Sequence, residues 1–235
     1  MASFSSLINW IVLATTTFTA VSAHNIITYP GWRGDNLHTN ETFPYGMQWM
    51  YPCGGMPPST NRTKWPISGG AVAIQPGWFQ GHSTALMYIN MGFGTNPPNY
   101  SNPMVPVFQI KGPTNEAYPG IGFCLPQVPL PINAPRANVK VGDNATIQIV
   151  EAAKHGAGLF NCVDIIFAED GDPAVEEVTP SNCFNDSRIG FNQIFGTEVM
   201  ASGADLTIGR LGLLSGGIPL LSLFIACVLG FGMFV

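Results

Sequence analysis

The sequence predicts an all-β sandwich, and three observations carry that expectation. Proline and glycine recur every few residues, 20 Pro and 27 Gly in 235, so no element can run far without a turn. The apolar runs between them are short and rich in β-branched and aromatic residues. No segment of the central region keeps a 3.6-residue apolar period long enough for a helix. In chain order, strands are expected over residues 71–75, 85–91, 105–111, 138–141, 145–151 and 159–168. The clearest alternation is Thr146-Ile147-Gln148-Ile149-Val150-Glu151, preceded by the turn signal Gly142-Asp143-Asn144. Short strands separated by turns favour a sandwich. The proline-rich stretches 96–98 and 126–135 are expected on its surface.

The two ends differ from this middle. Residues 1–23 hold no charged side chain, carry an apolar core of Ile8, Trp10, Ile11, Val12, Leu13 and Ala14, and end Val21-Ser22-Ala23. That is the small-x-small pattern of a cleaved signal peptide, in a stretch too short to span a bilayer. From Leu211 to Val235 there is again no charge. Ahead of this tail stand the small residues Ala201-Ser202-Gly203-Ala204 and a polar spacer with Asp205, Thr207 and Arg210. Small residues, spacer and apolar tail form the pattern for a GPI anchor, with Ser202 as the expected attachment site and Gly203 or Ser215-Gly216-Gly217 as alternatives. The chain thus divides into a signal peptide (1–23), one domain (24–202) and an anchor propeptide (203–235). Its expected destination, through the ER, is the outer face of the plasma membrane or the cell wall.

Composition agrees with a secreted route. Sequons occur at Asn40, Asn61, Asn99, Asn144 and Asn185, each a possible N-glycan acceptor. The mean hydropathy of +0.22 is raised by the two apolar ends. A net charge of −5 with no basic patch excludes nucleic acid as a partner. Of five cysteines, Cys227 lies in the tail, leaving Cys53, Cys124, Cys162 and Cys183. An even number in an oxidising compartment implies two disulfides with three possible connectivities.

Cleavage after Ala23 makes His24 the first residue. Its α-amino group and its own Nδ1 then close a six-membered chelate ring around a metal, and flat nitrogen ligation suits Cu(II) above other divalent ions. The amine titrates near pH 8, so giving up its proton to copper costs little at neutral pH. Further ligands are sought among His38, His82 and His155. His82 follows Gly81 just before an expected strand, whereas His38 and His155 sit in polar loops and read more simply as solvated. Asp164 places a carboxylate in the apolar strand Asn161-Cys162-Val163-Asp164-Ile165-Ile166-Phe167. A buried carboxylate needs a partner, either a metal or the backbone N–H groups of a loop. Asp164 shares the strand parity of Cys162, which puts both on one face. The nearby run Glu169-Asp170-Gly171-Asp172 reads as a solvated loop. Trp32, Trp49, Trp65 and Trp78 offer a sugar-binding platform if exposed, but in a sandwich of this size most are expected to be packed.

Several of these segments together resemble a known family: the start His24-Asn25-Ile26-Ile27-Thr28-Tyr29-Pro30-Gly31-Trp32-Arg33-Gly34, the element Cys53-Gly54-Gly55, the histidine before Ala85, and Asn161-Cys162-Val163-Asp164-Ile165. Their ordered combination is similar to the fungal copper-binding proteins related to lytic polysaccharide monooxygenases, which include the copper acquisition factors of fungal cell surfaces. The resemblance implies an immunoglobulin-like (fibronectin III-like) β-sandwich and one copper ion in a histidine brace of His24 and His82, with Asp164 as a further ligand. It also implies a GPI lipid anchor and a role in copper acquisition or homeostasis and cell-wall biology, without catalysis, with a plasma-membrane copper transporter as a conceivable recipient. A carboxylate on the metal stabilises Cu(II) and disfavours the reduction that opens oxygen chemistry. The rival classes are a copper-dependent polysaccharide monooxygenase and a metal-free structural glycoprotein. For the cysteines, the pairing carried forward is Cys53 with Cys162 and Cys124 with Cys183, which the spacing does not dictate.

Overall fold

The alternation around residue 147 becomes the centre of the protein. In the computed structural model, which describes residues 24–36, 48–76, 84–112, 120–131, 139–154 and 156–194, strand β7 (Asn144–Ala153) is hydrogen-bonded on both sides. Before it in the chain come β1 (Ile26–Tyr29), β2 (Thr63–Pro66), β3 (Gly70–Gln75), β4 (Thr84–Phe93), β5 (Asn102–Lys111) and β6 (Phe123–Val128). After it come β8 (Gly158–Ala168) and β9 (Gly190–Gln193). No described residue is helical. All the described residues fall within the unit Met1–Phe195.

The strands form a three-stranded sheet in the order β1-β3-β6 and a six-stranded sheet in the order β2-β8-β7-β4-β5-β9. All pairings are antiparallel except β2 with β8. One apolar core joins the sheets. Ile27, Val72, Ile74, Phe123 and Val128 of the smaller sheet pack on Met87, Ile89, Met91, Ile147, Ile149, Val163 and Ile165 of the larger. This is the immunoglobulin-like sandwich expected. Because side chains alternate along a strand, the odd-numbered residues of β7 and β8 face this core. Thr146, Gln148, Cys162 and Asp164 face the other way.

Five of the six expected strands are present, as β3, β4, β5, β7 and β8. The sixth, expected over 138–141, is not a strand among its described residues. The Lys140 N–H donates to the Asp143 carboxylate at 2.8 Å and the Asp143 N–H donates back to the Lys140 carbonyl at 3.0 Å, closing a turn instead. The stretch expected as surface loop from residue 126 begins inside β6. There Pro126 is tolerated because β6 is an edge strand. Pro103 and Pro106 of β5 likewise lie where no strand pairs on its outer side, since β9 meets only Phe108–Lys111.

Candidate metal centre

His24 is buried at 1% exposure, two residues ahead of the first residue of β1. The residue after it is held by side-chain amides rather than by sheet bonds. Gln48 Oε1 accepts from the Asn25 N–H at 2.8 Å, and Gln48 Nε2 donates to the Asn25 carbonyl at 2.8 Å. Asn161 Nδ2, from the core-facing row of β8, donates to the same carbonyl at 2.8 Å. Gln48 Nε2 also donates to Asn36 Oδ1 at 2.8 Å, and Asn36 Nδ2 to Asn161 Oδ1 at 3.3 Å. All four amide residues are at most 1% exposed. With its N–H and its C=O both gripped, Asn25 has the peptide group on either side of it held, so the segment bearing His24 is fixed before any ligand arrives.

Local sheet geometry supplies the clamp. The N-terminal part of β8 lacks a neighbour on one side, because β2 joins it only from Ile165 onward. The Phe160 N–H there donates to the Gln48 carbonyl at 2.7 Å, and the Cys162 carbonyl accepts from the Arg33 N–H at 2.7 Å. The free edge is thus closed by the two segments that bring Gln48 and Arg33 into place.

Asp164 lies on the opposite face of β8 from Asn161. Its carboxylate is enclosed by Arg33, with Nε 2.8 Å from Oδ2 and Nη2 donating to Oδ1 at 2.8 Å. Thr146 Oγ1 donates to Oδ1 at 2.6 Å, the Ser59 N–H donates to Oδ2 at 2.7 Å, and Arg62 Nη1 stands 4.0 Å away. The loop backbone N–H offered as a structural partner for this carboxylate is therefore that of Ser59, and the parity shared with Cys162 holds. The structure does not bring Asp164 to the side of the sheet where Asn25 is held. Tyr100 borders the cluster; burial pushes its hydroxyl pKa up, partly opposed by Arg33 and by hydrogen bonding with Arg33 and Thr146. His38, His82 and His155 lie outside the described residues, as do Asn40, Trp78 and Ser202. Among the described residues, no three His, Cys, Asp or Glu side chains converge as a metal cage.

Residues 22–188 match the family model described as copper acquisition factor BIM1-like. The chain belongs to that family. Its relatives carry related names. A lytic polysaccharide monooxygenase-like protein X325 of Aspergillus fumigatus is 62% identical over 200 residues, covering 78% of this chain and 81% of the relative. The X325 protein of Hypocrea jecorina is 57% identical over 201 residues, covering 83% and 85%. Among solved structures, an AA10 lytic polysaccharide monooxygenase from Streptomyces lividans aligns with a TM-score of 0.37 at 13% identity, over 61% of this chain and 100% of that one.

In this BIM1-like domain both expected disulfides are present, Cys53–Cys162 and Cys124–Cys183. The first pins the segment carrying Gln48 to the outer face of β8. Tyr51 packs edge-on against Phe160 and Tyr100 just beyond it. Of the tryptophans, Trp65 is fully buried and Trp32 packs against the core, while Trp49 is 53% exposed. Asn61, Asn99 and Asn185 are exposed and Asn144 is half-buried. The residues that sequence reasoning missed are Asn25, Asn36, Gln48 and Asn161. Polar amides carry no charge or metal preference to mark them, and their one signal was position: Asn25 follows His24 and Asn161 precedes a disulfide cysteine.

Proposed function

We propose that this protein captures copper at the outer cell surface and holds it or passes it on. Cleavage after Ala23 frees the amine of His24, which with its own Nδ1 and a nitrogen of His82 holds one Cu(II) in a histidine brace. The observation that carries this reading is the grip on Asn25. A buried set of amides, drawn from Gln48, Asn36 and Asn161, fixes the residue next to His24 at both its N–H and its C=O. Such preorganisation serves a ligand held in a defined geometry, whereas a frayed terminus needs none. The donors fit copper, since an amine and imidazoles are the nitrogen ligands Cu(II) prefers. Two features of the fold support His82 as the second histidine: β3 ends at Gln75 opposite Ile26, and β4 begins at Thr84, two residues after His82.

In this reading Asp164 serves Arg33. Each of its oxygens already accepts from the guanidinium and from a second donor, so ligating a metal would break up a bidentate pair. A GPI anchor near Ser202, glycans on the sequons and a membrane copper transporter as recipient complete the proposal.

The test is a metal titration of the domain beginning at His24. One equivalent of Cu(II) is expected, lost in His24→Ala, with the paramagnetic resonance spectrum of Asp164→Ala unchanged from wild type where that variant folds. Absence of stoichiometric binding, or equal binding by His24→Ala, sinks the reading. One observation favours a second reading, action on a polysaccharide: Trp49, Met50 and Tyr51 are exposed at 53%, 42% and 61% directly after the clamp residue Gln48. Incubating copper-loaded protein with reductant and cell-wall polysaccharides distinguishes the two. Soluble C1- or C4-oxidised products, lost on His82→Ala, would establish the monooxygenase; their absence is expected.

A further inference from the structure

The outer edge of β6 pairs with no described strand. It is closed instead by the segment that leads to β9. The Cys124 N–H donates to Asn185 Oδ1 at 3.0 Å, the Asp186 N–H donates to the Gly122 carbonyl at 3.0 Å, and Cys183 is joined to Cys124. Phe184 lies between these attachments. With Cys183 and Asn185 both tied down, its ring is held out at 43% exposure. It forms one wall of a recess of about 280 Å³, whose other walls include Thr28, Gln75, Ser181 and Asn182. That is just under the roughly 300–1,000 Å³ of a site for a drug-sized ligand, the scale of one sugar ring rather than a chain.

Asn185 opens the sequon Asn185-Asp186-Ser187. Its Oδ1 is taken by Cys124, which orients the amide, while Nδ2, the atom that carries a glycan, has no partner among the described residues. The other described sequons differ. Asn144 Nδ2 donates to Thr95 Oγ1 at 2.9 Å, and the ring beside Asn99, Tyr100, is only 6% exposed. Asn61 stands between Thr60 and Arg62. Only Asn185 has an exposed ring next to it in the chain. Transfer from a lipid-linked oligosaccharide forms a bond between Nδ2 and the anomeric carbon of an N-acetylglucosamine. It breaks that carbon's bond to the lipid pyrophosphate, which leaves with one amide proton. The sugar so attached has a face of C–H groups, which the negative face of an aromatic ring attracts, and a rim of hydroxyl and amide groups suited to the polar walls of the recess.

We propose that Asn185 carries an N-glycan whose first N-acetylglucosamine packs on the Phe184 ring and fills this recess, making the sugar part of the fold at the Cys124–Cys183 staple. This rests on the reading of the sequons as glycosylated, and the experiment separates the two. The full chain is secreted from a fungal host, and the occupancy of each sequon is read by mass spectrometry of its peptides. Asn185 is expected to be occupied. Ser187→Ala removes the sequon but keeps the Asn185 amide, and should lower the melting temperature by about 2–4 °C, the shift for losing one such ring contact in a domain of this size. In a Phe184→Ala background the same change should have no effect, because groups in contact are not additive. The same shift in both backgrounds overturns the proposal. Wild type alone covers variants that fail to fold. Trimming its glycans to the single linked sugar should leave the melting temperature unchanged, and complete removal should lower it; an unchanged temperature after complete removal overturns the docking. An unoccupied Asn185 beside other occupied sequons overturns this proposal and leaves the reading of the sequons standing. No glycan at any sequon overturns both.

Discussion

Gln48 concentrates the site's organisation in one side chain. Its three hydrogen bonds to Asn25 and Asn36 are all buried, so Gln48→Ala strands an N–H and an amide oxygen. At about 1–3 kcal/mol for each buried group left without a partner, a loss of about 3 kcal/mol is expected, read as a lowered melting temperature together with weaker Cu(II) binding. Gln48→Glu should be worse than its near-identical shape suggests, because a carboxylate cannot donate to the Asn25 carbonyl. Removing one partner of a buried ion pair costs about 3–5 kcal/mol. Arg33→Met is accordingly expected to destabilise the apo domain by that amount, measured by denaturant titration. A third residue-scale prediction concerns alkali. Tyr100 is held above its ordinary pKa of 10.0, burial being the main cause, and so is Tyr29, through burial and then Glu176. A raised folded-state pKa contributes stability that is complete below pH 10 and lost as pH rises through the folded value. Ultraviolet titration should therefore show two phenols ionising later than free tyrosine, with stability falling over the same range.

At the scale of elements, the β2–β3 turn depends on one glycine. Gly69 has φ of +104°, and a Cβ there would run into the Val128 carbonyl oxygen of β6. Gly69→Ala should cost about 1–3 kcal/mol, visible as a lowered denaturation midpoint. The disulfides tie together parts of the chain 109 and 59 residues apart. Replacing either pair by serines is expected to remove about 2–5 kcal/mol, with Cys53–Cys162 also weakening copper binding because it anchors the segment of Gln48. The strands legible in the sequence were those with a buried apolar row: β7 through Ile147 and Ile149, β8 through Val163, Ile165 and Phe167. Those that escaped were short or broken: β1 has only four residues, although three of them are buried. β9 is exposed at all four positions, β2 has Trp65 alone fully buried, and β6 contains Pro126, which argues against a strand unless the strand lies at an edge.

Over the whole molecule, the candidate site was legible where chemistry was written into single residues and opaque where it depended on pairing. His24 was singled out by its place after Ala23, and the structure shows it buried beside the clamped Asn25. The face of a carboxylate did not, because it follows from strand register. Asp164 and Cys162 sharing a parity could be read from spacing, but which face that parity meant required β7 and β8 aligned, with Thr146 opposite Asp164 and Ile147 opposite Val163. That alignment separates Asp164 from the clamped terminus.

The clamp also sets an order of events during synthesis. Asn25 is gripped by Gln48, 23 residues further on, and by Asn161, 136 residues further on. A chain made from its N-terminus cannot complete that grip until most of the domain has left the ribosome. Throughout that interval Asn25 is not yet clamped, so the cleavage after Ala23 proposed above would precede the seating of His24. His24, whose amine the proposed copper site uses, is therefore among the first residues made and among the last locked down.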